Sequence, residues 1–515
     1  MNKLFKILPV LAASTFVISS CSLGDSSAKI MISAPNSAQN NQIIKPENVE
    51  ITETYTSMES KLITGQQFLP STGDVKLLVI PVIIPGYANI DLDNDGQDDK
   101  EKVKNDINTL FNGEKNLRNE SINSFFKKSS FDKVNITATV TDWYDLREND
   151  ELNITNGATI ETDTTYEIVE DAIEWAKNSL HINLTDYDND KDGYIDGVWL
   201  IYSANNYTNN GPQTDTGNFF AYTAWGNTEL DENTEPSVDN PIYNLFGWAS
   251  YDFMYRDGDI QNVDSHTYIH EMGHFFGLND YYTDNYSYNP IGKIDLMDGN
   301  VCDMNNYSKM LIGWSKPYIV TGNAEIDLKS MQNLNNFIVI PGDNTEIKDN
   351  KFDPFSEYIL IEYYTSEGLN EYSSNTKVST TPLAPKGKGI RIYHVDNRKF
   401  VVDNSDLYNI TCEPYDGTSL SENEVLVLPI TNDRISNAYN YNFNLDVDCN
   451  LFDEIRLIEQ SNIDTFSNGG YQTLKTFFKE NDVFSMNAYG ETFFSNNALN
   501  SGDSFSYEIK IGGMK

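Results

Sequence analysis

The sequence predicts an α/β (α+β) fold built on a mixed, twisted sheet, followed by a β-rich, sandwich-like C-terminal domain. Two observations carry this expectation. Apolar runs at Val75–Ile84 and Val198–Tyr202 have the length of buried strands, and apolar residues recur at helical spacing in the stretches between them. Past Pro317 the helical spacing fades and short strand-like runs replace it. A chain of 515 residues has room for about two or three domains, each able to bury a core of its own.

The elements follow in order. Lys3 and Lys6 precede an apolar run from Leu8 to Ile18, which reads as an export signal too short to span a bilayer as a mature helix. It ends Ile18-Ser19-Ser20-Cys21, which resembles the bacterial lipobox, where the cysteine is diacylated before the signal is removed. Residues 1–21 are therefore expected to be a lipoprotein signal peptide, with Cys21 the lipidation site. The protein would then sit outside a bacterial cell membrane, held through this N-terminal anchor only, since two acyl chains hold far better than one. Conventional cleavage with free secretion is the alternative. Residues 22–72 are rich in Ser, Asn and Gln with little periodicity, and are expected to form a polar tether or propeptide with little core.

Residues 73–317 form the first expected folded domain. Its opening strand contains Pro81, which argues for an edge position or a bulge. Helical spacing follows at Val103, Ile107, Leu110 and Phe111, and again at Ile168, Val169, Ala172, Ile173 and Ala176. Between these helices Val134 to Val140 alternates like a strand. In residues 318–515 strands are expected at Phe337–Ile340, Tyr358–Glu362, Ile390–Val395, Glu424–Leu428 and Phe505–Ile511. His394 stands alone in such a strand and reads as structural.

The chain carries 36 Lys and Arg against 77 Asp and Glu, a net charge of -41 that argues against nucleic acid as a partner. The same acidity suits a calcium-holding extracellular protein, and equally suits solubility alone. With Cys21 lipidated, Cys302, Cys412 and Cys449 remain, so at most one disulfide can form within the chain. Cys412 with Cys449 is the expected pair, with Cys302 simply buried.

Residues 270 to 280 read His-Glu-Met-Gly-His-Phe-Phe-Gly-Leu-Asn-Asp. On a helix His270 and His274 sit one turn apart on one face, so both rings can reach one ion at about 2 Å. Glu271, beside the first ligand, is placed to act as a general base on a water at that ion. Gly277 can end the helix and turn the chain, letting Asp280 approach as a third ligand from another side. Tyr268, Ile269, Met272, Phe275 and Phe276 have the spacing of a buried stripe, so an amphipathic helix without metal is the plainer reading. The concentration of His266, His270 and His274 in a chain with 5 histidines favours the metal. His266 is expected to stand off the ion, because two imidazoles and one carboxylate already leave a fourth position for water. Tyr281 and Tyr282 are open to two readings, oxyanion donor or packing.

Further on, Asp295-Leu296-Met297-Asp298-Gly299 can form a turn that places Met297 beneath the site. The whole pattern looks like the metzincin arrangement, in which a glycine-turned third ligand and a Met-turn follow the zinc helix. Among metzincins it most resembles the immune inhibitor A family of secreted bacterial metallopeptidases, whose third ligand is Asp. The resemblance includes the aspartate-rich loop at Asp188–Asp196 and Gly313-Trp314. It departs from the family at Asn279, where Pro is common, and at Lys293-Ile294, where an aromatic is usual. It implies a metzincin-like catalytic domain, Zn2+ held by His270, His274 and Asp280, and hydrolysis of peptide bonds in a protein or peptide substrate. The alternative is a calcium-stabilised surface adhesin or binding protein without hydrolytic activity. Glu271 argues against it, because a binding module has no need of a base between two metal ligands.

Two acidic loops are candidates for Ca2+. Asp188, Asp190, Asp192 and Asp196 are spaced so that alternating carboxylates can converge on a hard cation, with Gly193 making the turn. Asp91, Asp93 and Asp95 begin in the same way, but Glu101 falls one residue short of the bidentate position. A solvated Asx-rich turn is the plainer reading of both.

Overall fold

The computed structural model describes residues 26–35, 42–58, 67–146, 162–206, 219–226, 236–283, 288–333, 336–403, 411–415, 420–421, 424–428, 432, 439–440, 445–446, 452–494 and 497–515. Cys21, the rest of the expected signal peptide, and the expected Cys412–Cys449 bond lie outside the described residues and side chains. The architecture is mixed α and β with several sheets.

Strands β1 (Ser27–Ser33) and β2 (Ile43–Ile44) come from the segment expected to be a tether with little core. That expectation is corrected: Ala28, Ile30 and Ile32 alternate into a core, and β1 is paired along both edges. Ser- and Asn-rich flanks hid a short period-2 run whose buried face needs only three apolar residues.

The first large sheet contains β3 (Gly73–Ile83), β4 (Val134–Val140), β5 (Tyr144–Asp145), β6 (Val198–Tyr202), β7 (Tyr222–Trp225) and β8 (Leu245–Ser250). Its order is β4-β3-β6-β8-β7, with β5 also paired to β3. All these pairs are parallel except β8 with β7. Pro81 therefore lies in an interior strand, against the expectation of an edge. It is tolerated because β4 pairs β3 only as far as Val79 and β5 takes over at Val82. The missing Pro81 N–H points into that gap, away from β6.

Helices cover both faces. Helix α1 (Lys100–Asn112) buries Val103, Ile107, Leu110 and Phe111, and α2 (Ile122–Ser129) packs beside it on the face carrying Leu77, Val79 and Ile201. Helix α3 (Thr162–Ser179) places Ile168, Val169, Ala172 and Ala176 against Leu78, Ile80 and Leu200 on the other. The helix carrying the histidines, α4 (His266–Phe275), joins α1 and α2. Phe275 stacks on Trp199 of β6 at 5.4 Å, and Trp199 Nε1 donates to Met272 Sδ. Short helices α5 (Leu296–Gly299) and α6 (Asn306–Leu311) complete this half.

The C-terminal half contributes β9 (Tyr318–Val320), β10 (Ala324–Lys329), β11 (Ile338–Pro341), β12 (Glu357–Thr365), β13 (Lys388–Asp396), β14 (Ile455–Leu457), β15 (Val483–Ser485) and β16 (Glu508–Met514). They form a six-stranded sheet, β2-β9-β11-β12-β13-β14, and a four-stranded sheet, β10-β1-β16-β15. Ile338, Ile340, Ile359, Ile361, Ile390 and Ile392 face Ile30, Leu328 and Ile509 across one core, as in a sandwich. Val339, Tyr358, Leu360, Tyr393 and Val395 point the other way, into the core that holds α4. The six-stranded sheet is thus buried on both faces, and one core runs across the expected boundary at residue 317.

Candidate metal centre

Helix α4 is buried along almost its whole length, with His266, His270 and Glu271 each less than 9 % exposed. It ends where Gly277 adopts a φ of 90°, a conformation costly for any residue with a Cβ. A Cβ there would also lie 2.9 Å from Tyr55 Cγ, so the turn is closed by a residue of the N-terminal segment. The chain then swings back, and Asp280 meets the helix.

His270 Nε2 and His274 Nε2 lie 3.1 and 3.4 Å from Asp280 Oδ1. The two rings are 4.9 Å apart and nearly perpendicular. Each ring is fixed from behind, His270 Nδ1 by the Leu296 carbonyl at 2.8 Å and His274 Nδ1 by the Leu278 carbonyl at 2.7 Å. An N–H at Nδ1 leaves a lone pair at each Nε2, and both lone pairs point at a carboxylate oxygen. Asp280 Oδ1 itself is buried without a hydrogen-bond donor. Three electron-rich atoms facing one another require a proton or a cation between them, and the donor set fits zinc.

The charges respond as this geometry demands. Burial works to lower the imidazole pKa values, but the Asp280 carboxylate outweighs it and raises both, His274 to about 9. Burial would raise Asp280, yet the two imidazoles hold it well below the usual carboxylate range. Burial raises Glu271, with His270 and His274 opposing. Thr223 of β7 orients this residue, its Oγ1 donating to the Glu271 carbonyl at 2.9 Å and lying 3.4 Å from Oε2.

Met297 lies beneath α4, and a Cβ at Gly273 would overlap its sulfur. Helix α5 is capped by Asp295, whose Oδ1 accepts from Met297 N at 3.0 Å while Oδ2 accepts from Asn305 N at 2.9 Å. The Met297 carbonyl accepts from Tyr281 N at 2.7 Å, joining this turn to the third ligand's loop. The two tyrosines part company: Tyr281 is buried with its hydroxyl 2.7 Å from Ser308 Oγ, whereas Tyr282 is exposed and its ring lies parallel to His270 at 6.4 Å. His266 is turned away, its Nδ1 2.7 Å from Asp264 Oδ1. His394 pairs with Glu357, in keeping with a structural role.

The aspartate-rich loops are assembled only in part as expected. Asp188, Asp190 and Asp196 bring carboxylate oxygens within 4.8 Å of one another, while Asp192 is outside this group and accepts from Tyr194 N. In the second loop the grouped residues are Asp91, Asp93 and Asp99. Asp95 instead receives Gln97 N and Nε2, and Asp99 rather than Asp95 stands in this group. Sequence spacing favours alternate residues, but the chain folds back, and Asp99 Oδ2 accepts from Leu92 N at 2.8 Å.

The first loop has a testable pH signature. Burial, then neighbouring aspartates, push Asp196 up to about 8 and Asp192 to about 6. The folded chain then holds protons that the unfolded chain has released by about pH 4. Stability of the calcium-stripped protein is therefore expected to fall as pH rises from about 4 to about 8, and calcium to raise the Tm more near pH 8 than near pH 5. Scanning calorimetry with chelator and with calcium checks this. A calcium increment as large at the lower pH would contradict it.

The carbonyls of Leu278 and Leu296, Thr223, Asp99 and Asn432 carry no motif, and only the Asp-rich run around Asp99 gave a signal in the sequence. No protein-family model matches the chain, and no match to a curated protein was found.

Proposed function

We propose that the protein is a zinc-dependent metalloendopeptidase of metzincin-like plan, similar to the immune inhibitor A family, acting on extracellular proteins from a lipid-anchored position. The observation that carries this is the convergence of His270 Nε2, His274 Nε2 and Asp280 Oδ1, with Glu271 next to the first ligand in sequence. Those three atoms would hold Zn2+. When bound, the ion supplies Lewis acidity toward the scissile carbonyl and makes a water acidic enough to attack near neutral pH. Glu271 takes the proton from the attacking water at a carboxylate oxygen and delivers it to the leaving amine as the C–N bond breaks. Strand β7 carries Thr223 and pairs only with β8 among the described residues. Its other edge suits an extended peptide, which would hydrogen-bond to the backbone beside Glu271. The acidic loops at Asp188–Asp196 and Asp91–Asp99 are proposed to bind Ca2+ and stiffen the segments around β3 and β6.

The test is cleavage of casein and a peptide library by the folded protein lacking residues 1–21, before and after chelation. Cleavage that stops with chelator and returns with about one equivalent of zinc is expected. Correctly folded, zinc-loaded protein that cuts nothing would favour a non-hydrolytic adhesin instead.

A further inference from the structure

The third ligand lies beyond the glycine turn, where the helix no longer dictates its place. Its peptide is gripped from two sides. On one side Tyr281 N donates to the Met297 carbonyl at 2.7 Å. On the other stands Asn432, a fully buried residue from the C-terminal half. Its backbone N–H donates to the Asp280 carbonyl at 3.3 Å, and its Nδ2 donates to the Tyr281 carbonyl at 3.1 Å. The same side chain is locked to β14, where Nδ2 donates to the Ile455 carbonyl at 2.9 Å and Oδ1 accepts from Ile455 N at 3.0 Å. One residue thus spans two successive carbonyls of the ligand loop, Asp280 through its backbone N–H and Tyr281 through its side-chain amide, and that amide also meets both polar backbone groups of Ile455.

Two more contacts join the same partners. Asn279 Nδ2 donates to Glu454 Oε2 at 2.8 Å, next to Ile455, and Leu457 N donates to the Pro290 carbonyl at 2.9 Å. Strand β14 belongs to the sheet that runs through the shared core, so it is a rigid support.

We propose that Asn432 is a positioning residue for metal capture: it transmits the rigidity of the C-terminal sheet to Asp280 and makes the site's affinity depend on that half of the chain. This rests on the zinc reading above. Ligand-orienting contacts of this kind are worth roughly 10–100-fold in metal affinity.

The test uses the protein from residue 22 to its end with Asn432→Ala and Asn432→Asp. Zinc affinity is read by competition with a chromophoric chelator, and site geometry by the visible spectrum after Co2+ loading. Asn432→Asp keeps the acceptor for Ile455 N–H and removes both Nδ2 donations, so it decides the matter should the alanine variant fail to fold. Zinc binding weaker by about 10–100-fold with an altered Co2+ spectrum is expected, while far-UV circular dichroism stays that of the folded parent even though the Tm falls from the two lost hydrogen bonds. A zinc Kd for Asn432→Asp within about twofold of the parent overturns the proposal. A parent protein that binds no zinc would overturn the metal reading and this inference together, so the two failures are distinct.

Discussion

Glu271→Gln is expected to keep its zinc and lose about 10²- to 10⁴-fold in kcat. The substitution preserves shape. Thr223 Oγ1 donates to the residue 271 carbonyl, which the change does not alter, and none of His270, His274 or Asp280 is touched. What disappears is the group that takes a proton from water and returns it to the departing nitrogen. An amide can do neither. His270→Ala differs in kind, since removing one of three ligands is expected to remove the metal as well. Parallel measurement of zinc content and kcat on one peptide separates the two. Full turnover by zinc-loaded Glu271→Gln would show that another group moves the proton.

The largest expected effect on stability lies away from the metal, at Glu362→Ala. Glu362 of β12 and Arg391 of β13 are a fully buried ion pair. Glu362 Oε2 also accepts from Asn306 N and Nδ2 at 2.9 Å each, at the first residue of α6, and Tyr393 donates to Oε1 at 3.2 Å. Truncation would strand a buried guanidinium and two donors of α6 at once. A loss of about 3–5 kcal/mol is expected from breaking such a pair on one side. Replacing both partners by apolar residues, as in Glu362→Leu with Arg391→Met, is expected to recover most of it, because no charge is then left unpaired. Denaturant unfolding of the three variants checks this. A single-variant loss under about 1 kcal/mol would mean that water reaches Arg391 and that the two halves are less tightly joined than the shared core implies.

How much of this was legible in the sequence depends on whether the cause was local. Val103, Ile107, Leu110 and Phe111 announced a helix because helical spacing and burial coincide within one element. His270, His274 and Asp280 were legible because a helical turn and one glycine set their separation. Ser27–Ser33 was not, since a strand with three inward residues is too short to rise above polar flanks until β10 and β16 are placed beside it. Pro81 misled for a related reason: its tolerance in an interior strand depends on where β4 ends and β5 begins. Asp99 and Asn432 depend on chain reversals and on contacts between distant segments, which leave no periodic trace. The boundary at residue 317 reflected a real change from helical to strand spacing. It did not reveal that the outer face of β12 and the stripe of α4 share one core.

The geometry around His270, His274 and Asp280 predicts one divalent ion between two imidazoles and a carboxylate. Anomalous diffraction at the zinc absorption edge, from crystals of the protein grown with zinc, tests it most directly. A single strong peak is expected about 2.0–2.2 Å from His270 Nε2, His274 Nε2 and an Asp280 carboxylate oxygen, with Glu271 near but not bound to it. Ordered side chains with no peak among them, or zinc held elsewhere in the chain, would rule out this coordination.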